Sequence, residues 1–320
     1  MKQNPILTAC GRLRDRLIPS SGGTGAKPPK NPAILGFPQD LFVETTNFCN
    51  AACVMCPREK LTRPLGEMKR ELYERIVDEC VRHREFRFLT LFGFGESLLD
   101  PGLINRIRYA KGKNVGVVRC STNAHLLTTE FSKELILSGL DRLKISFYGT
   151  NKEEYESVHR RLNFEESSRN IKNLLLLKRR LKKSNPSVSI QYLIDTRRGP
   201  AMNAFLSLKF YLQWIRHLRI QYAFLHNFVT GREYNKTVYS GNGMKCQMIY
   251  RNRMHVLWNG DVTPCTYDFN GEMVLGNICR ASINDIWSGE GYHRFRRAHT
   301  VRDFKNYPMC AKCDIWSALR

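Results

Sequence analysis

Long hydrophobic runs are missing from this 320-residue chain. None approaches the roughly 20 residues that cross a bilayer as a helix, so no membrane span is expected. The start, Met1-Lys2-Gln3-Asn4-Pro5, lacks the basic segment and sustained apolar stretch of a secretory signal. The expectation is therefore a cytoplasmic protein. Zinc-finger spacing and an RNA-recognition signature are also absent, which leaves nucleic-acid binding without a motif to support it. Acidic residues are few: 29 Asp and Glu face 51 Lys and Arg, a net charge of +22. Such charge fits a basic solvated surface first and an anionic substrate second. A nucleic acid, an acidic partner or an anionic membrane surface would also answer it.

Core-forming residues are present in ordinary measure. Apolar content of 42% and aromatic content of 11% suit a globular chain with a large core. Residues 1–37 are the exception, because Ser20-Ser21-Gly22-Gly23-Thr24-Gly25-Ala26-Lys27-Pro28-Pro29-Lys30 reads as a flexible leader. Strand patterns then fall at 41–46, 86–92, 115–121, 142–147, 187–194 and 218–224. Helical patterns fall between them at 67–82, 101–111, 129–138, 165–183 and 202–216. This alternation predicts parallel strands joined by helices. Six such units fall short of the eight that close a TIM barrel. The fold class is thus α/β, a partial (β/α)6 TIM-like barrel over 38–233, followed by a small α+β domain over 234–320.

Eleven cysteines in pairs and triplets suggest metal ligation more than disulfides. Cys49, Cys53 and Cys56 follow the first strand at spacings of four and three. Three thiolates on one loop can hold three irons of a 4Fe–4S cube and leave the fourth iron open. A zinc knuckle is the alternative, but no histidine lies close to this loop in the sequence. In the C-terminal part, Cys246, Cys265, Cys310 and Cys313 could close a second cluster or a four-cysteine zinc site. Zinc ribbons pair two Cys-x2-Cys knuckles and this set has one, which favours iron–sulfur. Between these cysteines Met254–Val262 reads as a hairpin with Asn259-Gly260 at its turn. Cys10, Cys80 and Cys120 read as non-ligands, and Cys279 as a small hydrophobe packed in the auxiliary region.

The Cys-x3-Cys-x2-Cys spacing resembles the signature of the radical S-adenosylmethionine enzymes, with Met55 where the family usually has an aromatic residue. That resemblance implies an open iron that binds S-adenosylmethionine (AdoMet) and a 5′-deoxyadenosyl radical that abstracts a substrate hydrogen. Gly93-Phe94-Gly95-Glu96-Ser97 resembles the family's Gly-Glu-Pro turn, which would set Gly95 and Glu96 against the cofactor's amino group. The strand ends at Ser121-Thr122-Asn123 and Ser146-Phe147 resemble segments beside the cofactor. This implies contacts from Ser121, Asn123 and Ser146, although helix capping and turn formation explain each residue equally well. Tyr155-Glu156-Ser157-Val158-His159-Arg160 resembles the region that places an arginine on the cofactor carboxylate. His159 occupies the usual arginine position, so the role falls to Arg160 or Arg161. The C-terminal cysteines, with Gly260, Gly276-Asn277 and Ile286-Trp287, resemble the SPASM/Twitch auxiliary-cluster domain of 2-deoxy-scyllo-inosamine dehydrogenase-like enzymes.

Taken together, the resemblance implies two 4Fe–4S clusters, AdoMet and a reducing partner such as flavodoxin or ferredoxin. The implied reaction is carbinol oxidation of a small polar or anionic sugar or aminocyclitol, with the auxiliary cluster accepting an electron. His226 is a candidate base. Epimerisation with Cys279 as hydrogen donor, peptide modification, and a non-enzymatic metal-containing nucleic-acid binder are the competing readings.

Overall fold

A computed structural model describes residues 36–195, 197–215, 218–224, 244–313 and 317–318. Leader residues 1–35, His226 and the connector Gly241-Asn242-Gly243 lie outside these residues, while Phe37 at the leader's end is buried in the core. The expected alternation produces strands β1 (Asp40–Val43), β2 (Phe88–Leu91), β3 (Val117–Thr122), β4 (Arg142–Ser146), β5 (Ser187–Ile194) and β6 (Arg219–Phe224). Between them run helices α1 (Arg70–Cys80), α2 (Leu103–Gly112), α3 (Thr129–Leu137), α4 (Lys152–Val158), α5 (Phe164–Arg180) and α6 (Pro200–Trp214). Leu72, Tyr73, Ile76, Val77 and Cys80 recur at helical spacing on α1, and all are buried. Pro101 precedes α2 instead of opening it, since that helix begins at Leu103.

Side chains at the element ends fix several boundaries. Asn151, Asn163 and Thr128 each accept a hydrogen bond from the backbone N–H three residues on, capping α4, α5 and α3. Acidic Glu165 and Glu166 open α5 and basic Lys178, Arg179 and Arg180 end it, matching the helix dipole. Part of the basic excess is thus a solvated helix end. Gly139, at φ +88°, lets the chain turn after α3 in a conformation that favours glycine.

All six strands pair in parallel and in sequence order. The sheet does not stop at the barrel. β8 (Arg253–Val256), reached through β7 (Met244–Lys245) and α7 (Gln247–Tyr250), pairs in parallel with β1, opposing Asp40 with Arg253. β9 (Asp261–Thr263) and β10 (Gly276–Asn277) continue it as antiparallel strands. One nine-stranded sheet results, in the order β10-β9-β8-β1-β2-β3-β4-β5-β6. Helices α8 (Ile283–Ser288), α9 (Glu290–Val301) and α10 (Pro308–Ala311), with β11 (Ser317–Ala318), complete the chain. Among the described residues no helix is long and apolar enough to cross a membrane.

Strand alternation divides the sheet chemically. Leu41, Val43, Val118, Cys120, Leu143 and Ile145 are fully or almost fully buried and join the hydrophobic core with the helices. The alternate residues give the other face Asp40, Thr90, Arg119 and Lys144. Asp40 accepts from Arg119 and from Thr90 and pairs with Arg253 at 3.2 Å. Burial and the nearby charges of Arg119 and Arg253 push Lys144 down to about 8. The inner face of the open barrel is polar and positively charged, unlike the packed interior of a closed one.

Candidate iron–sulfur centres and cofactor site

The loop carrying Cys49, Cys53 and Cys56 leaves the C-terminal end of β1, where parallel-strand folds gather their chemistry. Two backbone hydrogen bonds stitch it to the end of α4: Ala52 N–H to the Arg160 carbonyl and Val54 N–H to the Val158 carbonyl, both 3.0 Å. A third, from Cys56 N–H to the Cys53 carbonyl at 3.0 Å, closes the turn. Burial pushes the Cys49 thiol up to about 11, and burial and its neighbouring thiols raise Cys53 further. Buried thiols of this kind become thiolates when a cation compensates them, which suits metal ligation.

His159 lies between the two residues whose carbonyls the loop bonds, and it is almost completely buried. Its Nδ1 is 3.2 Å from Cys53 Sγ, and its Nε2 accepts from Tyr148 N–H at 3.1 Å. The ring stacks on Tyr148 with centroids 4.8 Å apart and packs against Tyr155 at 4.6 Å. Burial holds its pKa down to about 3, so the ring is neutral. By contrast, the Arg160 side chain is exposed, and its backbone carbonyl is what meets the loop.

Strand ends β2 and β3 back the loop. A Cβ on Gly95 would lie 2.3 Å from the Thr46 carbonyl oxygen and 2.7 Å from that of Phe48, so only glycine admits this approach. Glu96 is buried, but its carboxylate accepts Leu98 N–H at 3.1 Å and Asn123 N–H at 2.8 Å. It binds two strand ends together, and burial raises its pKa despite those donors. These protein donors fix the carboxylate in place at the strand ends where the cofactor's amino group is expected. Asn123 donates to Asn50 Oδ1 at 2.9 Å, tying the β3 end directly to the cysteine loop. Ser121 and Ser146 sit half-buried on the inner-face positions of β3 and β4.

A charged cleft opens beside the same loop. Val54 and Met55 form one wall; Tyr148, Glu154, Tyr192, Asp195, Arg197 and Arg198 line the rest. Glu154 accepts from Arg198 at 2.6 Å, Tyr192 Oη at 2.8 Å and Thr150 N–H at 2.8 Å. Burial opposes ionisation of Glu154, but these donors together hold its carboxyl below the usual range. Sequence reasoning missed this cleft. Its one early signal was Asn151 before Glu153-Glu154, an N-cap and acidic first turn that mark α4.

In the C-terminal part, Cys246, Cys265, Cys310 and Cys313 all line one cleft with Tyr267, Phe295, His299 and Met309. Burial raises Cys246, Cys265 and Cys310, and the charges of neighbouring cysteines add to the last two. Among the described residues no three His, Cys, Asp or Glu side chains converge as a site for a single metal ion. A cube gives each thiolate its own iron, so thiols around a shared cleft suit it without that convergence. Cys80 and Cys120 are buried in the core, as expected. Cys279 is exposed, not packed as expected, because its segment runs along the outside of the hairpin turn beside Asn259 and Arg75.

The two cysteine sites are joined through residues 62–66, another feature the sequence did not reveal. Arg63 forms a two-pronged pair with buried Glu44, both bonds 2.6 Å, and donates to the Phe269 carbonyl at 2.6 Å. Trp258 Nε1 donates to the Pro64 carbonyl at 3.2 Å.

Three thiols at a strand end and four around a second cleft, on an open parallel sheet, define an iron–sulfur protein of the partial-barrel class. The radical SAM superfamily model matches residues 43–193 and the SPASM iron-sulfur cluster-binding domain matches residues 246–314. The chain belongs to the radical S-adenosylmethionine enzymes and carries a SPASM-type domain. Its cofactors are a 4Fe–4S cluster, AdoMet and auxiliary iron–sulfur.

Over 322 aligned residues it is 23% identical to the tungsten-containing aldehyde ferredoxin oxidoreductase cofactor-modifying protein of Pyrococcus furiosus, covering 87% of this chain and 88% of that one. It is 35% identical over 71 residues to the S-adenosyl-L-methionine-dependent 2-deoxy-scyllo-inosamine dehydrogenase of Niallia circulans, 22% of this chain and 28% of the relative. The crystal structure of BtrN in complex with AdoMet and 2-DOIA superposes with a TM-score of 0.59 at 19% identity, over 88% of this chain and 95% of that one. The last likeness establishes the shared partial-barrel fold.

Proposed function

We propose that this enzyme is an oxidoreductase that removes a hydrogen atom from a carbinol carbon of a small polar metabolite, a sugar or aminocyclitol. The observation that carries this reading is the cleft beside Val54 and Met55. Its tyrosines, carboxylates and arginines offer donors and acceptors for several hydroxyls. Cys49, Cys53 and Cys56 would hold the core cluster within residues 38–233, and Cys246, Cys265, Cys310 and Cys313 the auxiliary one within 234–320. When bound, these groups and AdoMet supply hydrogen-atom abstraction and one-electron transfer. Gly95 and Glu96 shape the cofactor-side backbone, Asn123 anchors the loop, and Ser121 and Ser146 present hydroxyls from the inner face. Arg198 and Tyr192 hold Glu154 ionised and fix its orientation toward substrate hydroxyls.

Cys279 is not among the residues lining either cleft, which supports oxidation over epimerisation. The enzyme would work in the cytoplasm with flavodoxin or ferredoxin as electron donor. The test is anaerobic turnover against a panel of sugars and aminocyclitols, measuring 5′-deoxyadenosine and ketone together. Equal amounts of the two products with one member support the proposal. Cofactor cleavage triggered only by a peptide or a metal-cofactor precursor would reassign the substrate class.

A further inference from the structure

We infer that His159 is a positioning residue that donates a hydrogen bond to the Cys53 thiolate and so raises the reduction potential of the core cluster. The inference rests on the proposed ligation by Cys49, Cys53 and Cys56. The hydrogen-bond pattern assigns the proton. Tyr148 N–H donates to Nε2, so that nitrogen carries the lone pair and the proton of the neutral ring is on Nδ1. Nδ1 is 3.2 Å from Cys53 Sγ, within reach of an N–H to sulfur bond.

The contact is built into the fold. The loop's Ala52 and Val54 N–H groups bond the carbonyls of Arg160 and Val158, the two residues flanking His159. The ring is held between Tyr148 and Tyr155, and water is excluded from it. Reduction adds negative charge that spreads onto the cysteine sulfurs. A fixed N–H dipole aimed at one of them stabilises the reduced state more than the oxidised one. The exposed guanidinium of Arg160 supplies no such dipole to Cys53.

The test uses holoenzyme carrying both clusters, wild-type and with His159→Phe or His159→Asn. Phenylalanine keeps the ring packing but removes the donor, whereas asparagine places an amide N–H near the Nδ1 position. Iron content and circular dichroism first establish that each variant is folded and loaded. The midpoint potential of the AdoMet-responsive cluster is then read by spectroscopically monitored redox titration. We expect His159→Phe to lower the equilibrium constant for reduction about tenfold, a shift of 59 mV for one electron. His159→Asn should recover most of it. Electron–nuclear resonance of the reduced wild-type cluster should show an exchangeable proton coupling that His159→Phe loses.

An unchanged potential and coupling in loaded His159→Phe would overturn the inference, as would weaker AdoMet binding with no change in potential. If replacing Cys49, Cys53 and Cys56 leaves the AdoMet-responsive cluster in place, the ligand assignment itself fails.

Discussion

Replacing Arg63 with methionine should destabilise the protein more than any other single change on the face between the two cysteine sites. Glu44 is fully buried and Arg63 nearly so, with two charge-assisted hydrogen bonds of 2.6 Å between them. Removing one partner of a buried pair costs about 3–5 kcal/mol, because the other charge is left without compensation. Phe94 N–H still donates to Glu44 Oε2 at 3.0 Å, which places the cost toward the lower end, about 3 kcal/mol. At roughly 2–4 °C per kcal/mol, Tm should fall by about 6–12 °C.

Because Arg63 also holds the Phe269 carbonyl, iron retention at the auxiliary site should fall with it. Replacing both residues with methionine removes the stranded charge, so the double variant should be more stable than Arg63→Met alone. Thermal unfolding under anaerobic conditions reads the wild type, Arg63→Met, Glu44→Met and the double variant. A Tm loss under about 2 °C for the single variant would refute the argument. So would a double variant whose loss equals the sum of the two single ones.

Anaerobically reconstituted enzyme should hold about eight irons, and loss of Cys49, Cys53 and Cys56 together should leave about four and abolish cofactor cleavage. Stoichiometric zinc at the C-terminal cysteines would contradict this. Gly95→Ala should cost about 1–3 kcal/mol through overpacking and weaken AdoMet binding, measured by calorimetry; unaltered affinity would show that the turn does not shape that pocket. Lys144 has a folded pKa near 8, below its unfolded value of about 10.5. The unfolded chain therefore holds the extra proton between those values, and stability should rise with pH across that window. Lys144→Met should flatten this rise, and an identical pH profile in the variant would contradict the assignment. Exposed Cys279 should react with iodoacetamide in the native holoenzyme, while buried Cys80 and Cys120 should not; peptide mapping reads all three. Cys279→Ala should keep ketone formation in deuterated water, whereas solvent deuterium at the reacting carbon, lost in this variant, would indicate epimerisation.

What the sequence by itself determined is the local and periodic part of the protein. Alternating apolar patterns located β1 to β6 to within a few residues, because strand and helix burial impose periods that single segments display. Asn259-Gly260 marked the hairpin turn, since Gly260 takes up φ +89° there. Cysteine spacing pointed to both candidate metal sites, because the three thiols of the first lie on one loop and the closing pair of the second are near neighbours.

Contacts between distant segments needed the tertiary structure. His159 reads as a missing arginine in the chain, and only the pairing of α4's end with the cysteine loop brings its ring to Cys53, 106 residues away. Glu96 reads as a ligand contact, and only the tertiary structure shows that its carboxylate also joins the ends of β2 and β3. Cys279 reads as core, but the path of the hairpin leaves it outside. Likewise, β8 beside β1 makes one sheet of what composition divides into two regions. Hydrophobic period records which side of an element is covered, but not which distant polar group will meet it there. That choice depends on strand order and register, which are set by the packing of the whole sheet.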